Sequence, residues 1–330
     1  MINTIQKSSF KDILKKLFTE YSYWLSFVML LILATAVNTN FLRWSNISNI
    51  FVQTATTGII ALGMSMVISA GLIDISVGAQ VAIISGLGIV VLNRTDSILI
   101  MLLFALGFGL LIGICNGLMV AKGNMPPMIA TLAMQSICRS LINHLGQGGP
   151  FTVSDANFAT FRKIAAGSIQ LTQGIRIPYP MIMFIVLSIL FGIIMRQTKL
   201  GKHIYAVGSN TVSARLAGVN VNRIKILVFA ITGLLCGFSG WLYASRVMAV
   251  AAASAGNAYE MEVIAAVAIG GTSMNGGRGK IIGTFLGALM FKIINNILVM
   301  ANFPTFLNGA ISGAIIIVAV LLQNIQNKSK

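Results

Sequence analysis

Ala70-Gly71-Leu72-Ile73-Asp74-Ile75-Ser76-Val77-Gly78 is the stretch on which the reading of this chain turns. An acid flanked by isoleucines, with glycine on both sides, is no ordinary polar loop. The glycines let the backbone turn sharply, while Ile73, Ile75 and Val77 keep it buried. Asp74 and Ser76 alternate with them and offer oxygens to the open N–H groups of a following helix. Two compatible readings result. One is a helix cap at a membrane boundary. The other is a broken, re-entrant element lining a pathway, since non-helical backbone at membrane depth is tolerated only inside protein or beside a cavity.

The composition around that stretch requires a bilayer. Of 330 residues, 56% are hydrophobic and 9% charged, with a mean hydropathy of +0.88. Soluble domains carry about 25% charged residues, so 7 acids and 23 bases cannot coat two soluble cores of this size. The net charge of +16 does not point to nucleic acid. A nucleic-acid binder spreads its bases over a polar face or arm, whereas here they cluster between apolar runs. Cys115, Cys138 and Cys236 all lie within such runs at no metal-like spacing, and read as small core side chains.

A spanning helix needs about 20 apolar residues. Ten candidate spans emerge, near 21–40, 51–72, 78–92, 97–121, 125–145, 179–195, 226–246, 260–273, 281–300 and 306–322, the third and eighth being short. The fold class expected is an all-α integral membrane protein. It has a basic tail over 1–20, one transmembrane domain over 21–322 and a second tail over 323–330. The polar start and the lack of a small-residue cleavage site argue against a removed leader. With the N-terminus inside, fifteen of the 23 bases fall on the inner side and six on the outer, leaving Arg139 and Lys292 within spans. That bias predicts cytoplasmic termini. The outer segment 146–178 offers Phe151, Phe158 and Phe161 on one face of a short helix lying along the membrane surface.

Features recur in order across the halves. Thr57-Gly58 is echoed by Thr232-Gly233, and Ala70-Gly71 by Ala255-Gly256. The ladder Gly109, Gly113, Gly117 returns as Gly279, Gly283, Gly287. The threading makes helices 2–5 and 7–10 inverted repeats, an arrangement typical of transporters. The ladders are packing devices that let helices approach closely.

The counterpart of Asp74 is Tyr259-Glu260-Met261-Glu262, opening the short eighth helix. Negative side chains there are stabilised by the helix dipole, so a capped helix and a substrate contact remain equally open. Bases within spans seek an acid or a cavity. Arg139 lies near enough to the surface to snorkel; Lys292 does not, and its expected partner is Glu260, Glu262 or Asp74. Two distant histidines, His144 and His203, form no catalytic or metal constellation. Gly276-Gly277-Arg278-Gly279-Lys280 fails as a phosphate loop, because Met274 and Ile281 stand where glycine and Ser/Thr are required. No ATP site is therefore expected in this chain.

In the basic loop 196–225, Ser209 or Asn210 can cap a short helix with an apolar stripe of Val212, Leu216 and Ala217, ended by Gly218. Such a surface helix needs something to pack on. The alternatives are lipid headgroups and a soluble partner.

Four stretches now carry a family resemblance: Gly71-Leu-Ile-Asp74-Ile-Ser76-Val-Gly78, Met128-Ile-Ala-Thr131-Leu through Arg139, the loop Thr198–Val221, and Tyr259-Glu-Met-Glu262 through Gly276-Gly277. With Asn295-Asn296, they resemble the permease subunits of sugar-importing ABC transporters of the ribose/galactoside/arabinose/xylose group. That resemblance implies an ATP-driven importer of a monosaccharide or small polyol in the bacterial inner membrane. It implies three partners besides lipid: a cassette ATPase carrying ATP and Mg, an external periplasmic or lipid-anchored sugar-binding protein, and a second or sister permease. It places Gly71, Asp74, Ser76, Gly78, Thr131, Arg139, Glu260, Glu262, Asn295 and Asn296 along the translocation pathway. It makes 209–218, with Ser209, Asn210, Val212, Ala214, Arg215, Leu216 and Gly218, the helix that couples to the ATPase. Leu72, Ser209, Glu262 and Lys292 depart from the family pattern, the last standing where an apolar residue is usual. The rival reading is a secondary transporter driven by an ion gradient.

Overall fold

The computed structural model describes residues 22–304 except Gln173, together with 309–311, 313, 314, 317 and 321. The tails 1–20 and 323–330, and most of the tenth expected span 306–322, lie outside the described residues. The first half runs α1 (Ser22–Val37), a one-turn 3-10 helix (Thr39–Leu42), α2 (Trp44–Ser69), α3 (Val77–Thr95), α4 (Ile98–Ala121) and α5 (Pro127–Gly146). An excursion follows: β1 (Pro150–Thr152), α6 (Asp155–Ala166), β2 (Ser168–Thr172) and β3 (Ile175–Pro178). The second half runs α7 (Tyr179–Gln197), α8 (Lys199–Ser209), α9 (Thr211–Leu216), α10 (Val221–Val247), β4 (Ala249–Ala251), α11 (Tyr259–Ile269) and α12 (Ile281–Met300).

Among the described residues six helices, α2, α3, α4, α7, α10 and α12, are long and apolar enough to cross a membrane. The third expected span is not short. Helix α3 continues past its apolar run through Asn93 and Arg94, and stops only where Asp96 adopts left-handed backbone at φ 49°. The eighth is short: α11 has eleven residues, about 16 Å of helix or half the hydrocarbon core. Helix α2 likewise begins seven residues before its apolar run, at Trp44.

Helix α10 runs through the middle, packed on α2, α3 and α4. Its seam with α4 is built backbone against backbone. Gly109 faces Gly233 and Gly237, Gly113 faces Phe229 and Ala230, and Gly117 faces Ile226. Any Cβ at Gly109 or Gly113 would strike a carbonyl of α10. The second ladder serves a different neighbour: Gly283 and Gly287 of α12 rest on Gly270 and Ala266 at the end of α11.

The excursion differs from the expected single helix. Phe151 lies in β1, which pairs antiparallel with β4, Phe151 opposite Val250. Only Phe158 and Phe161 belong to α6, and Phe161 is buried while Phe158 is exposed. Strands β2 and β3 form a second antiparallel ribbon, tied to the start of α2 where Trp44 Nε1 donates to the Arg176 carbonyl at 2.8 Å.

Candidate functional site

Two interruptions of the helical frame meet inside the molecule. The first begins where α2 ends and Gly71 turns the chain with φ +77°, a conformation that L side chains resist. Residues 72–75 are non-helical before α3 starts at Val77. Asp74 is fully buried. Its Oδ1 accepts from the Ser76 N–H at 2.9 Å and from the Ser76 hydroxyl at 2.5 Å. Its Oδ2 is faced by Gln80 Nε2 at 3.5 Å and Asn116 Nδ2 at 3.4 Å. Both amides also donate to Ser76 Oγ, at 2.8 and 2.9 Å. Among the described residues, every hydrogen-bond donor to this carboxylate is neutral. Ser76 stands at the N-cap of α3, but its side chain makes no cap bond; its hydroxyl is committed to Asp74 instead.

Gln80 and Asn116 were not singled out in the sequence, although both are fully buried. The signals existed. Gln80 lies one turn after Ser76, on the same face, and Asn116 is the sole side-chain amide in the apolar α4. Their carbonyl oxygens, Gln80 Oε1 and Asn116 Oδ1, are buried without a hydrogen-bond partner.

The second interruption occupies 252–258, between β4 and α11. It is held from α5, where Arg139 Nη1 donates to the carbonyls of Ala252 at 3.2 Å and Ala255 at 2.7 Å. Ala258 enters α11 with left-handed backbone, φ 62°. Glu260 and Glu262 occupy the first turn of α11, as the helix dipole favours. Lys292 on α12 pairs with Glu262, Nζ to Oε2 2.5 Å, both side chains largely buried. Of the three partners expected for Lys292, the structure selects Glu262, not Glu260 or Asp74. The two interruptions touch: a Cβ on Gly78 would collide with the Gly256 carbonyl and lie 2.6 Å from a Glu260 carboxylate oxygen. Thus α3 and α11 start back to back.

Other expected site residues lie apart from this centre. Thr131 turns its hydroxyl onto its own helix, donating to the Pro127 carbonyl at 2.9 Å. Asn296 forms a reciprocal amide pair with Asn46, at 2.9 and 3.1 Å, joining α12 to α2. Asn295 Oδ1 is buried with no hydrogen-bond partner.

The short helix expected within 209–218 is α9, and of its two candidate caps the structure uses Asn210, which accepts from the Val212 and Ser213 N–H groups at 2.9 Å each, while Ser209 ends α8. The extended backbone of Asn210 separates α8 from α9. Ala214 is buried, Arg215 is exposed, and Val212 and Leu216 project with 67% and 85% exposure. Gly218 follows with φ +82°.

Residues 46–320 match the family described as branched-chain amino acid transport system, permease component. The chain belongs to that permease family. The permease is 35% identical over 300 residues to the ribose import permease protein of Bacillus subtilis strain 168, covering 90% of each chain. Against the ribose import permease protein of Escherichia coli K12 it is 33% identical over 302 residues, 91% of this chain and 92% of the other. Against the xylose transport system permease protein of Haemophilus influenzae it is 30% identical over 357 residues, 92% and 95%. No solved structure matches the chain. It is a multi-pass membrane protein and the permease subunit of an ABC importer, a role that implies an ATPase and a substrate-binding protein as partners.

Proposed function

We propose that this permease carries a monosaccharide or related small polyol across the bacterial cytoplasmic membrane. A separate cassette ATPase supplies the energy, binding ATP and Mg, and an external sugar-binding protein delivers the solute. Relatives matched over nine-tenths of their length are named for ribose and xylose, which supports the sugar reading. The family description names branched-chain amino acids, and leucine is the competing substrate class.

In this reading the transmembrane domain spans 21–322 between cytoplasmic tails, with ten helices and an inverted repeat of helices 2–5 and 7–10. The back-to-back starts of α3 and α11 support the repeat. Gly71, Asp74, Ser76, Gly78, Glu260 and Glu262 belong to the two broken elements at its centre, and Arg139 steadies the second. Thr131, Asn295 and Asn296 complete the pathway. A second permease, identical or sister, completes the transporter.

The observation that carries the ATPase-coupling assignment is α9, a capped helix with two large apolar side chains, Val212 and Leu216, directed away from the protein. Exposed apolar side chains on a polar surface mark a docking site. Leu216→Asp should leave the permease inserted but release the ATPase and abolish ATP-driven uptake. The assay is vesicle uptake of labelled ribose, xylose, arabinose and leucine, with ATPase retention measured by co-purification. Uptake by the permease alone under a proton or sodium gradient would establish the secondary-transporter reading instead.

A further inference from the structure

Three distant backbone segments converge beside α8. They are Ser69–Gly71, where the first interruption begins; Gly208–Ser209, the end of α8; and Gly276–Gly277, in the loop joining α11 to α12. The Gly277 N–H donates to the Ser69 carbonyl at 3.0 Å. A Cβ on Gly208 would collide with the Ser69 carbonyl and lie 2.7 Å from the Gly277 nitrogen. One on Gly276 would lie 2.8 Å from the Gly208 carbonyl and 2.9 Å from the Gly71 Cα. One on Gly277 would lie 3.0 Å from the Ser209 Cα. The closest contacts are backbone on backbone, joined only by the Cβ of Ser209 beside Gly277. Tyr205, one helical turn back, donates its hydroxyl to the Gly279 carbonyl at 2.8 Å. Burial pushes this phenol up from its ordinary value, so it remains a donor.

Only Asn210 separates this junction from α9. We propose that Gly208 is a positioning residue for transport: it locks α8 to the start of the first interruption and to the loop after α11, the helix that opens at the second interruption, so a displacement of α9 moves the first interruption and α11 as one body. The inference rests on α9 being the ATPase-facing helix. Packed backbone does not deform continuously, and small shifts at such contacts are carried as rigid-body movements. A methyl group at 208 wedges α8 away from Ser69 while the exposed face of α9, with Val212 and Leu216, is unchanged. ATPase binding and transmission then come apart.

The test uses the complete permease–ATPase complex in vesicles and needs no knowledge of the solute. Asn257→Cys, exposed in the second interruption, is labelled with an impermeant maleimide, nucleotide-free and vanadate-trapped; the chain without that cysteine is the blank. With Gly208 intact, labelling differs between the two states. In Gly208→Ala, ATPase co-purification and basal hydrolysis persist, but the labelling difference shrinks at least about tenfold, the size of a typical coupling between sites. Tyr205→Phe, which removes one hydroxyl and adds no bulk, shrinks it roughly three- to tenfold, as loss of one hydrogen bond allows. Gly107→Ala, where an added Cβ meets nothing within 4 Å, changes nothing. Full response in Gly208→Ala overturns the proposal. Should that variant fail to assemble, full response in Tyr205→Phe overturns it equally. No nucleotide response with Gly208 intact would instead sink the ATP-driven reading on which the proposal stands.

Discussion

The two interruptions solve one backbone problem with different chemistry. At 70–76, one buried carboxylate gathers a backbone N–H, a hydroxyl and two amides from α3 and α4. All of these are neutral and all come from the first half. At 252–262, the elements are tied across the molecule by charge: Arg139 of α5 holds two carbonyls, and Lys292 of α12 holds Glu262. Hydrogen bonds among neighbouring residues fix a local shape, and buried polar networks reward full satisfaction. Ion pairs between separate helices instead fix how those helices sit against each other. The first interruption is therefore a rigid wedge. The second is a joint whose setting depends on its partners, with less helix behind it, since α11 is eleven residues against nineteen in α3.

The largest break of this comparison is Asp74→Ala. It strands the Ser76 N–H and the Ser76 hydroxyl in a site closed to solvent, while the two amides keep Ser76 Oγ as acceptor. Each orphaned group costs about 1–3 kcal/mol, so a loss of about 2–6 kcal/mol is expected, a large part of a typical total stability. The variant should fail to accumulate as a monodisperse species in detergent. Normal accumulation would show that the network does not hold the wedge.

Lys292→Met comes next. It leaves Glu262 largely buried without its cation, a loss of about 3 kcal/mol by the usual cost of splitting a buried pair. The double variant Lys292→Met/Glu262→Gln removes the stranded charge and should recover more than half of that loss. Thermal midpoints of the four proteins in the cycle measure the coupling. Additive losses would mean that α12 does not hold α11 through this pair.

What the sequence disclosed follows from the range of each interaction. Asp74 was visible because an acid among isoleucines contradicts its surroundings, and Lys292 for the same reason within an apolar helix. Which acid Lys292 meets was not visible, because Glu260 and Glu262 differ only in azimuth on α11, and the packing of α12 decides between them. Gln80 and Asn116 are hard to read from sequence because a lone amide in an apolar helix looks like ordinary packing until a partner from another helix stands beside it. Apolar runs locate the six spanning helices of the described residues but misplace two ends, at Trp44 and at Asn93-Arg94, where polar residues continue a helix beyond its apolar run. Strands β1 and β4, three residues each, are too short to display alternation and exist only because their partner lies about a hundred residues away.

The smallest effect expected is also the sharpest discriminator. Asp74→Asn keeps the shape of the first interruption and removes its charge. The new Oδ1 still accepts from the Ser76 N–H and hydroxyl. The new NH2 group then faces Gln80 and Asn116, whose carbonyl oxygens are buried without partners. Rotation of either amide by half a turn brings such an oxygen to the new donor in exchange for that amide's own bond to Ser76 Oγ, so the network closes again with the orphan count unchanged. Exchanging a buried charged acceptor for a satisfied neutral one should change stability by less than about 1 kcal/mol, with vesicle uptake preserved. Glu262→Gln, the same isosteric change at the other interruption, should cost more, since Lys292 would keep its charge and lose its counterpart. Equal losses from the two substitutions would erase the distinction between a neutral wedge and a charged joint. A large loss from Asp74→Asn alone would reverse it, making the Asp74 charge itself, not its hydrogen-bonding shape, what the first interruption requires.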